Sequence, residues 1–499
     1  MHLTSCFAGA TLHLLLLCRK VVSVQDSPAA MSGQVYTTIA SILGDCSLDE
    51  HPSARLRLHG NVPVFYSRHK LTVSAASAIG SYALAVEKWW HLATGRHQSV
   101  AIGWMQAAAS LNPGQFQKQN GYALPALDMV TELRAGFYRT QDGKWFYATG
   151  SYPHLRDGVL DLLQCANTSV ALGKSIEKWS AQALEDAFGE RKLTGNFART
   201  RQEWAQHPQG MLLSRSPLVE VERIGDSDAE VPVLLKRPLD RLRVLDMGHV
   251  LAGPVVARTL AEHGADVLRL TDPMNQDAFR QTVDSNIGKR SAFIDLNRAV
   301  DLQRTRELLS SADVLVQSWR KGSLAAKGLG PQDAARIRPG IIYVSVTAFG
   351  DEGPWATRGG FEQLGQVVSG IAIDEGGADC PRLVVTTLLN DYLTGYLGAA
   401  GVMLALIKRA TVGGSYHVKV SLARTSMWVQ SLGLVDLPDL KIEDRHFARF
   451  LDPVLESRDS AYGKLEQLPP VAQFSRTPPR WALPPAPNGA HVAGWMDVV

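Results

Sequence analysis

The chain has 499 residues, enough for two or three domains, and a composition typical of a globular protein. Its 51 Lys and Arg residues are nearly balanced by 48 Asp and Glu residues, and the formal charge of +3 gives no indication of nucleic acid as a partner. No CxxC spacing occurs, which argues against a disulfide framework or a zinc site and favours a reducing compartment. The cysteines are Cys6, Cys18, Cys46, Cys165 and Cys380.

The first 30 residues contain a short apolar run around Leu14 to Leu17 that is similar to the core of a signal peptide. No Lys or Arg precedes this run, and it is too short to span a bilayer. We therefore treat residues 1–30 as a leader of uncertain nature. We expect a cytoplasmic protein; a mitochondrial or peroxisomal location stays open, and secretion is disfavoured.

The segment up to residue 235 has a mixed pattern. Residues 71–111 have the pattern of a long apolar helix followed by a strand. Residues 136–150 predict a hairpin around Asp142 and Gly143, and residues 155–206 have a helical pattern.

A strand, a glycine-containing turn, a helix and a second strand are predicted for residues 242–270. Further apolar runs alternate with helical sequence at 291–296, 313–317 and 341–346. This alternation indicates a mostly parallel, doubly wound sheet. The turn, GHVLAGP, is not the GxGxxG fingerprint, and no GxxxxGK[ST] motif occurs, so nicotinamide cofactors and ATP are not indicated. The turn can still hold an anion with its backbone amides.

Residues 384–409 form a long apolar segment with one carboxylate near its start. After Asp391 no charged residue occurs before Lys408. The simplest interpretation is that Asn390 or Asp391 caps a helix by accepting an amide proton of the first turn. The carboxylate would then have no chemical role.

The long apolar segment has an internal counterpart. At an offset of 318 residues it lies over residues 71–90, and Asp391 is opposite Val73. Thr72 or Ser74 would be an adequate cap in that copy. The absence of an acid from one copy is what we expect if Asp391 has a chemical role.

Six sequence blocks occur in order between residues 240 and 425. They are RVLDMGHVLAGPVVARTLAEHGADVLRL, NIGKRSAFIDLN, ADVLVQSWRKGSLAAKGLG, IRPGIIYVSVTAFGDEGP, LLNDYLTGYLGAAG and HVKVSL. In this order they resemble the class III CoA-transferases of the CaiB/BaiF type, which include formyl-CoA and carnitine CoA-transferases and related α-methylacyl-CoA racemases. The resemblance implies an α/β fold with a Rossmann-like doubly wound parallel sheet and a smaller α+β domain.

The resemblance also implies CoA transfer between an acyl-CoA thioester and a carboxylic acid. The family's nucleophile is an Asp that opens a helix, and the matching position is Asp391. Its carboxylate would form an acyl anhydride and then an aspartyl-CoA thioester. Glu362 matches an acidic position in the active site of some transferases, and a solvated Glu at a helix start is the alternative. Coenzyme A and acyl-CoA are implied as substrates, with no permanently bound cofactor and no metal.

The family's CoA-binding turn matches Val250, Leu251 and Ala252. Leu251 stands where oxalate-using members carry a Gln, which favours a more apolar acceptor acid. Four basic residues are candidate partners of the CoA phosphates, because guanidinium and ammonium groups bind phosphate. These candidates, each with a solvated surface position as the alternative, are Arg290, Arg320, Lys327 and Arg358.

Other functions of the same fold stay open. A racemase or epimerase needs a His base, but Phe361 occupies the matching position and cannot abstract a proton. A CoA-linked lyase and a catalytically silent CoA-binding scaffold are the further alternatives, and retention of Asp391 favours an enzyme. The expected partners are an acyl-CoA, a small organic acid and a second copy of the chain in a homodimer, without nucleic acid or membrane.

The order of the segments departs from that of the family. Residues 31–235 resemble a degenerate half-copy that contains the rear of the large domain and a small domain. Residues 236–437 resemble the family's nucleotide-fold domain. Residues 438–499 form a Pro-rich closing tail that we expect to lie on other parts of the molecule. We expect one active centre per chain, and whether the halves interlock within or between chains stays open.

Overall fold

The computed structural model describes residues 27–44, 50–63, 65–125, 133–233, 236–274, 277–435 and 451–496. Most of the leader predicted for residues 1–30, up to residue 26, lies outside the described residues. The same holds for residues 438–450, with which the predicted tail begins.

The strands are distributed over four sheets in the described residues. They are β1 Leu56–His59, β2 Val100–Gly103, β3 Lys118–Gln119, β4 Tyr122–Ala123, β5 Gly136–Arg139, β6 Trp145–Ala148, β7 Gly195–Phe197, β8 Glu220–Gly225, β9 Arg243–Met247, β10 Asp266–Thr271, β11 Lys289–Phe293, β12 Val314–Gln317, β13 Ile342–Thr347, β14 Ser415–Ser421, β15 Glu456–Ser460, β16 Gly463–Gln467 and β17 Ala472–Phe474.

The α-helices connect and cover these sheets. They are α1 Pro28–Leu43, α2 Leu71–Thr94, α3 Trp104–Ala109, α4 Pro153–Leu163, α5 Ser169–Ile176, α6 Ala181–Glu190, α7 Arg201–Gln206, α8 Pro208–Arg215, α9 Ala252–Ala261, α10 Phe279–Ser285, α11 Ala299–Leu309, α12 Pro331–Ile337, α13 Glu362–Ser369, α14 Ile371–Gly376, α15 Leu389–Val412 and α16 Leu422–Ser431.

The largest sheet has the strand order β11-β10-β9-β12-β13-β14-β8. All its strands are parallel except β8, which pairs antiparallel with β14. Counted from β9, the parallel strands follow the order 3-2-1-4-5-6 of a doubly wound nucleotide fold. The predicted fold class is therefore confirmed. The antiparallel edge strand β8 precedes the domain boundary predicted at residue 236.

A smaller α+β domain surrounds an antiparallel sheet of β5, β6 and β7. It has its own hydrophobic cluster, in which the rings of Phe146 and Phe188 lie 4.9 Å apart between centroids. The hairpin predicted around Asp142 and Gly143 is the β5–β6 turn, where Gly143 has a φ of 74° that favours glycine. The predicted smaller domain is thus confirmed.

A helix–strand–helix unit occurs twice in the chain. Helices α2 and α15 both have 24 residues and pack against each other, and their first residues, Leu71 and Leu389, are 318 positions apart. The following helices, α3 and α16, begin at Trp104 and Leu422, which are again 318 positions apart. The offset found in the sequence therefore relates two units of similar structure.

Helix α15 explains why residues 384–409 are so apolar. By length and composition α15 could cross a membrane, but 78% of its most apolar stretch is buried within the protein. It is surrounded by α2, α9, α16 and β14. Gly398 permits close approach of α9, because a Cβ there would lie 2.7 Å from Cγ2 of Val256. A helix covered on all sides is expected to be apolar all round.

The C-terminal segment joins the two halves of the chain. Strand β17 pairs with β2 of the first half, and β16 pairs with β3. Further along, the indole N–H of Trp481 donates to the carbonyl of Arg258, and His491 N–H donates to the carbonyl of Ser291 at 2.8 Å.

We predict that residues 236–499 expressed alone give an insoluble or inactive product. This fragment lacks α2, which covers α15, and β8, the edge strand of the large sheet, so it exposes a large apolar surface. Solubility and CoA exchange should be measured with and without residues 31–235 added in trans. A soluble and fully active fragment would contradict the shared fold of the two halves.

Candidate active site

A cavity of about 540 Å³ opens at the carboxyl ends of β9, β12 and β13. These ends flank the point at which the strand order of the large sheet reverses, where open α/β sheets bind ligands. The turn after β9 contributes His249, Val250 and Ala252 to the lining, and Trp319 follows β12. Asp391, at the start of α15, also lines this cavity.

The first turn of α15 is capped by a residue from another helix. Its N-cap position is Leu388, and no side chain at the N-cap accepts a hydrogen bond. Instead, the carboxylate of Glu362 accepts from the backbone N–H groups of Leu389, at 3.1 Å, and Asp391, at 2.8 Å. The interpretation that Asn390 or Asp391 caps the helix is therefore wrong.

Glu362 is the first residue of α13 and is only 1% exposed, which excludes a solvated side chain. The side-chain amide of Gln366, one turn later, donates to it, as does that of Asn390 at 3.4 Å. Gln366 is itself held by the backbone N–H of Val384, which donates to it at 2.9 Å. Glu362 is thus fixed from several sides.

The carboxylate of Asp391 has a different environment. It is 6% exposed, and in the described part of the chain neither backbone nor side-chain groups donate a hydrogen bond to it. The helix amides that would otherwise engage an acid at this position are directed to Glu362. Asp391 consequently presents an unengaged acid to the cavity.

Burial raises the pKa of both carboxyl groups above the ordinary range. For Glu362 the charge of Asp391 raises the pKa further, and hydrogen bonds from Gln366 and the helix amides oppose the rise. Two acids so close in a poorly solvated site titrate as a pair. Full ionisation of the pair therefore requires a higher pH than an isolated carboxyl group does.

Positive charges lie in the same cavity. Arg320 and Arg358, two of the four predicted phosphate partners, line it together with Lys321. The guanidinium of Arg358 lies over the ring of Trp355, 4.6 Å from its centroid. Arg320 donates to the carbonyl of Lys192 at 2.5 Å, so both guanidinium groups are held in place.

The other two basic candidates do not reach the cavity. Arg290, on β11, is paired with the carboxylate of Asp266 at 2.7 Å. Lys327 donates to the side-chain oxygen of Asn297 at 3.0 Å. Leu251 is fully buried and does not line the cavity, whereas its neighbours in the turn do. The geometry therefore does not support phosphate contacts by these two basic residues.

One wall of the cavity comes from the first half of the chain, and the sequence had not indicated it. Tyr152 lines the cavity and donates to Oδ1 of Asp277 at 2.6 Å, while Asp277 is paired with the buried Arg269. The Tyr152 ring lies 6.4 Å from that of His249 and 6.3 Å from that of Phe361. The two halves therefore meet at this cavity within one chain. No motif marks Tyr152; the only local signal is an aromatic residue beside a Pro that starts a helix.

Comparison with known proteins identifies the segment that contains this cavity. Residues 239–446 match the family model described as CoA-transferase family III. We refer to residues 239–446 as the family III segment. The family III segment includes Glu362, Asp391 and the turn after β9, whereas Tyr152 lies outside it.

Individual relatives extend beyond the family III segment. An acetyl-coenzyme A transferase of Hypoxylon pulicicidum is 32% identical over 329 residues, which cover 61% of this chain and 56% of that protein. An acyl-CoA transferase of Gibberella moniliformis is 27% identical, with 76% of each chain covered. A crystal structure of a CaiB/BaiF family protein from Brucella suis is 30% identical, covers 40% of this chain and 56% of that chain, and has a TM-score of 0.37. The chain thus spans little more than half of the first relative.

The buried acids predict an unusual effect of Asp391→Asn on stability. A carboxyl group whose pKa is raised by folding stabilises the protein at low pH, and this contribution is lost as the pH rises through the folded-state pKa. We therefore expect Asp391→Asn to increase the free energy of unfolding at pH 8 by roughly 1 to 3 kcal/mol, with a smaller effect at pH 5.

Denaturant unfolding at the two pH values measures this effect, and Glu362→Gln, which keeps an acceptor for the helix amides, is the matched variant. A helix cap at Asp391 predicts the opposite, a loss of about 1 kcal/mol at both pH values.

Proposed function

We propose that the protein transfers CoA between an acyl-CoA thioester and a carboxylic acid, with Asp391 as the nucleophile. The observation that supports this most directly is the unengaged carboxylate of Asp391 in the cavity, with the helix amides taken by Glu362. A carboxylate that accepts several hydrogen bonds is a weaker nucleophile, because those bonds must be given up during attack.

The reaction proceeds through two covalent intermediates on Asp391. Its carboxylate oxygen attacks the thioester carbonyl carbon, the C–S bond breaks, and an acyl anhydride and a CoA thiolate form. The thiolate then attacks the Asp391 carbonyl carbon and releases the donor acid as a carboxylate. The acceptor acid repeats these steps in reverse, leaves as its CoA thioester and restores the free carboxylate of Asp391.

The charges and apolar surfaces of the cavity suit such a substrate. Arg320, Lys321 and Arg358 provide cationic groups for the phosphates of CoA or the carboxylate of an acid. Leu155 and Leu422, among other apolar side chains, contribute walls that limit the water available to hydrolyse the anhydride. Tyr152 completes this enclosure from the first half of the chain.

We predict that incubation with acetyl-CoA and hydroxylamine converts Asp391 to a hydroxamate, which peptide mass spectrometry detects. Asp391→Asn should remove the label and lower turnover by about three powers of ten or more, because it removes the nucleophile. Glu352→Gln, which alters an exposed acid in the loop after β13, is the control and should label normally. Labelling of another carboxylate, with Asp391 unmodified, would contradict the mechanism.

A racemase is the second candidate, and one observation favours it. His249 lines the cavity, and burial lowers its pKa, so the imidazole is neutral near pH 7 and able to accept a proton. His249 is not at the position of the family's racemase base, which Phe361 occupies in this chain. Exchange of the α-proton of a 2-methylacyl-CoA in deuterated water tests this candidate. Exchange that is lost in His249→Gln and retained in Asp391→Asn would favour racemization over CoA transfer.

A further inference from the structure

A fully buried ion pair lies beneath the turn that lines the cavity. The ammonium of Lys289, on β11, donates to Oδ2 of Asp246, on β9, at 2.6 Å. It also donates to the carbonyl of Pro254, in the first turn of α9, at 2.7 Å. Neither charged side chain is accessible to solvent. Lys289 thus reaches across β10 to the start of the neighbouring helix.

The same carboxylate holds the other end of the turn. Oδ1 of Asp246 accepts a hydrogen bond from the backbone N–H of Gly248 at 2.9 Å. The pair therefore fixes the turn at Gly248, where β9 ends, and at Pro254, inside α9. Between these points Val250 has a φ of 59°, a left-handed conformation that a β-branched residue adopts only when its surroundings impose it.

Stability alone does not account for a charge pair at this place. A buried pair loses the solvation of both ions, and apolar residues of similar volume often give an equally stable interior. Burial lowers the pKa of Lys289 to about 8, against the opposing effect of Asp246, so the protein holds this charge at a cost. The pair instead fixes the conformation of the turn, because it is hydrogen-bonded to both ends of it. Val250 and Ala252 of this turn line the cavity.

We propose that Lys289 is a positioning residue for substrate binding: with Asp246 it holds residues 248–252 in the shape that receives the CoA part of the substrate. The proposal rests on the proposed function in taking CoA as the ligand. Lys289 touches no reacting atom and acts only through the turn. Its loss should therefore weaken CoA binding and raise KM, while the chemistry at Asp391 under saturating substrate continues.

The test is the double variant Lys289→Met with Asp246→Asn, in the full chain. It removes both buried charges together, which avoids an unpaired ion, and it keeps an oxygen that can accept from Gly248 N–H. Thermal unfolding, CoA binding by calorimetry, and KM and kcat with acetyl-CoA are measured. We expect nearly parental unfolding, a rise of tenfold or more in the Kd of CoA and in KM, and a kcat within about threefold of the parent's.

The control is a second lysine that forms ion pairs, at the opposite side of the large sheet. Lys419, on β14, is paired with Glu220 at 3.0 Å and Glu222 at 2.6 Å on β8, and it does not line the cavity. Lys419→Met should leave the Kd of CoA unchanged. If the double variant does not fold, Asp246→Asn alone replaces it, because Lys289 can then lose its proton.

The outcomes separate this proposal from the proposed function. Parental Kd and KM in a stable double variant would overturn the positioning role and leave the proposed function intact. If the parent chain binds CoA but Asp391 is not labelled, the proposed role of Asp391 as nucleophile is wrong. The effect of the double variant on the Kd of CoA then still supports or refutes the positioning role. A parent that binds no CoA would overturn both.

Discussion

The hydrogen bonds between Glu362 and the first amides of α15 are the interaction on which the site depends. A helix N-terminus leaves amide groups that need acceptors, and an acid in the first turn normally supplies one. Glu362 supplies it from α13, at 2.8 Å from the amide of Asp391 itself, and so leaves the Asp391 carboxylate without a partner in the described residues. The cost is two buried acids: burial raises the pKa of Glu362, and the charge of Asp391 raises it further. This arrangement disfavours folding at high pH, but it leaves the carboxylate that we propose as the nucleophile free of hydrogen bonds in the described residues.

The repeated unit shows why the first copy has no counterpart of Asp391. Helix α2 has the length of α15 and packs against it, but at the position related to Asp391 it carries Val73, which is fully buried. Arg68 and His69 lie just before α2, and both contact Glu375 of α14. The Glu375 carboxylate accepts from the backbone N–H of Arg68 and lies 2.7 Å from the His69 ring, so an internal polar cluster occupies this end of α2. An acid introduced at Val73 would meet packed side chains instead of a substrate cavity. The first copy instead serves to cover α15.

Sequence reasoning reached those features that depend on local pattern. Alternating strands and helices predicted the doubly wound sheet, and the block around Asp391 indicated the acid. Sequence reasoning failed where the position of a side chain depends on partners far away in the chain. Arg290 is paired with Asp266, 24 positions away in sequence, and is therefore not directed to the cavity. It also missed Tyr152, because a wall supplied by the other half of the chain leaves no periodic signal. The sequence also gave no sign that Glu362 caps α15, because the amide of Asp391 that it accepts from lies 29 positions further along the chain.

The cavity is lined by segments that lie far apart in the chain, because a cavity needs neighbours in space and not in sequence. Tyr152 precedes the large sheet in the chain, yet its hydroxyl reaches Asp277 beside β10, and the buried Arg269 holds Asp277 from within the sheet. This chain of contacts ties the small domain to the same sheet that carries the turn after β9. Asp277 thus neutralises the buried Arg269 and also holds Tyr152, whose ring forms the wall of the cavity opposite the turn. The enclosure of the cavity therefore depends on this contact between the two halves of the chain.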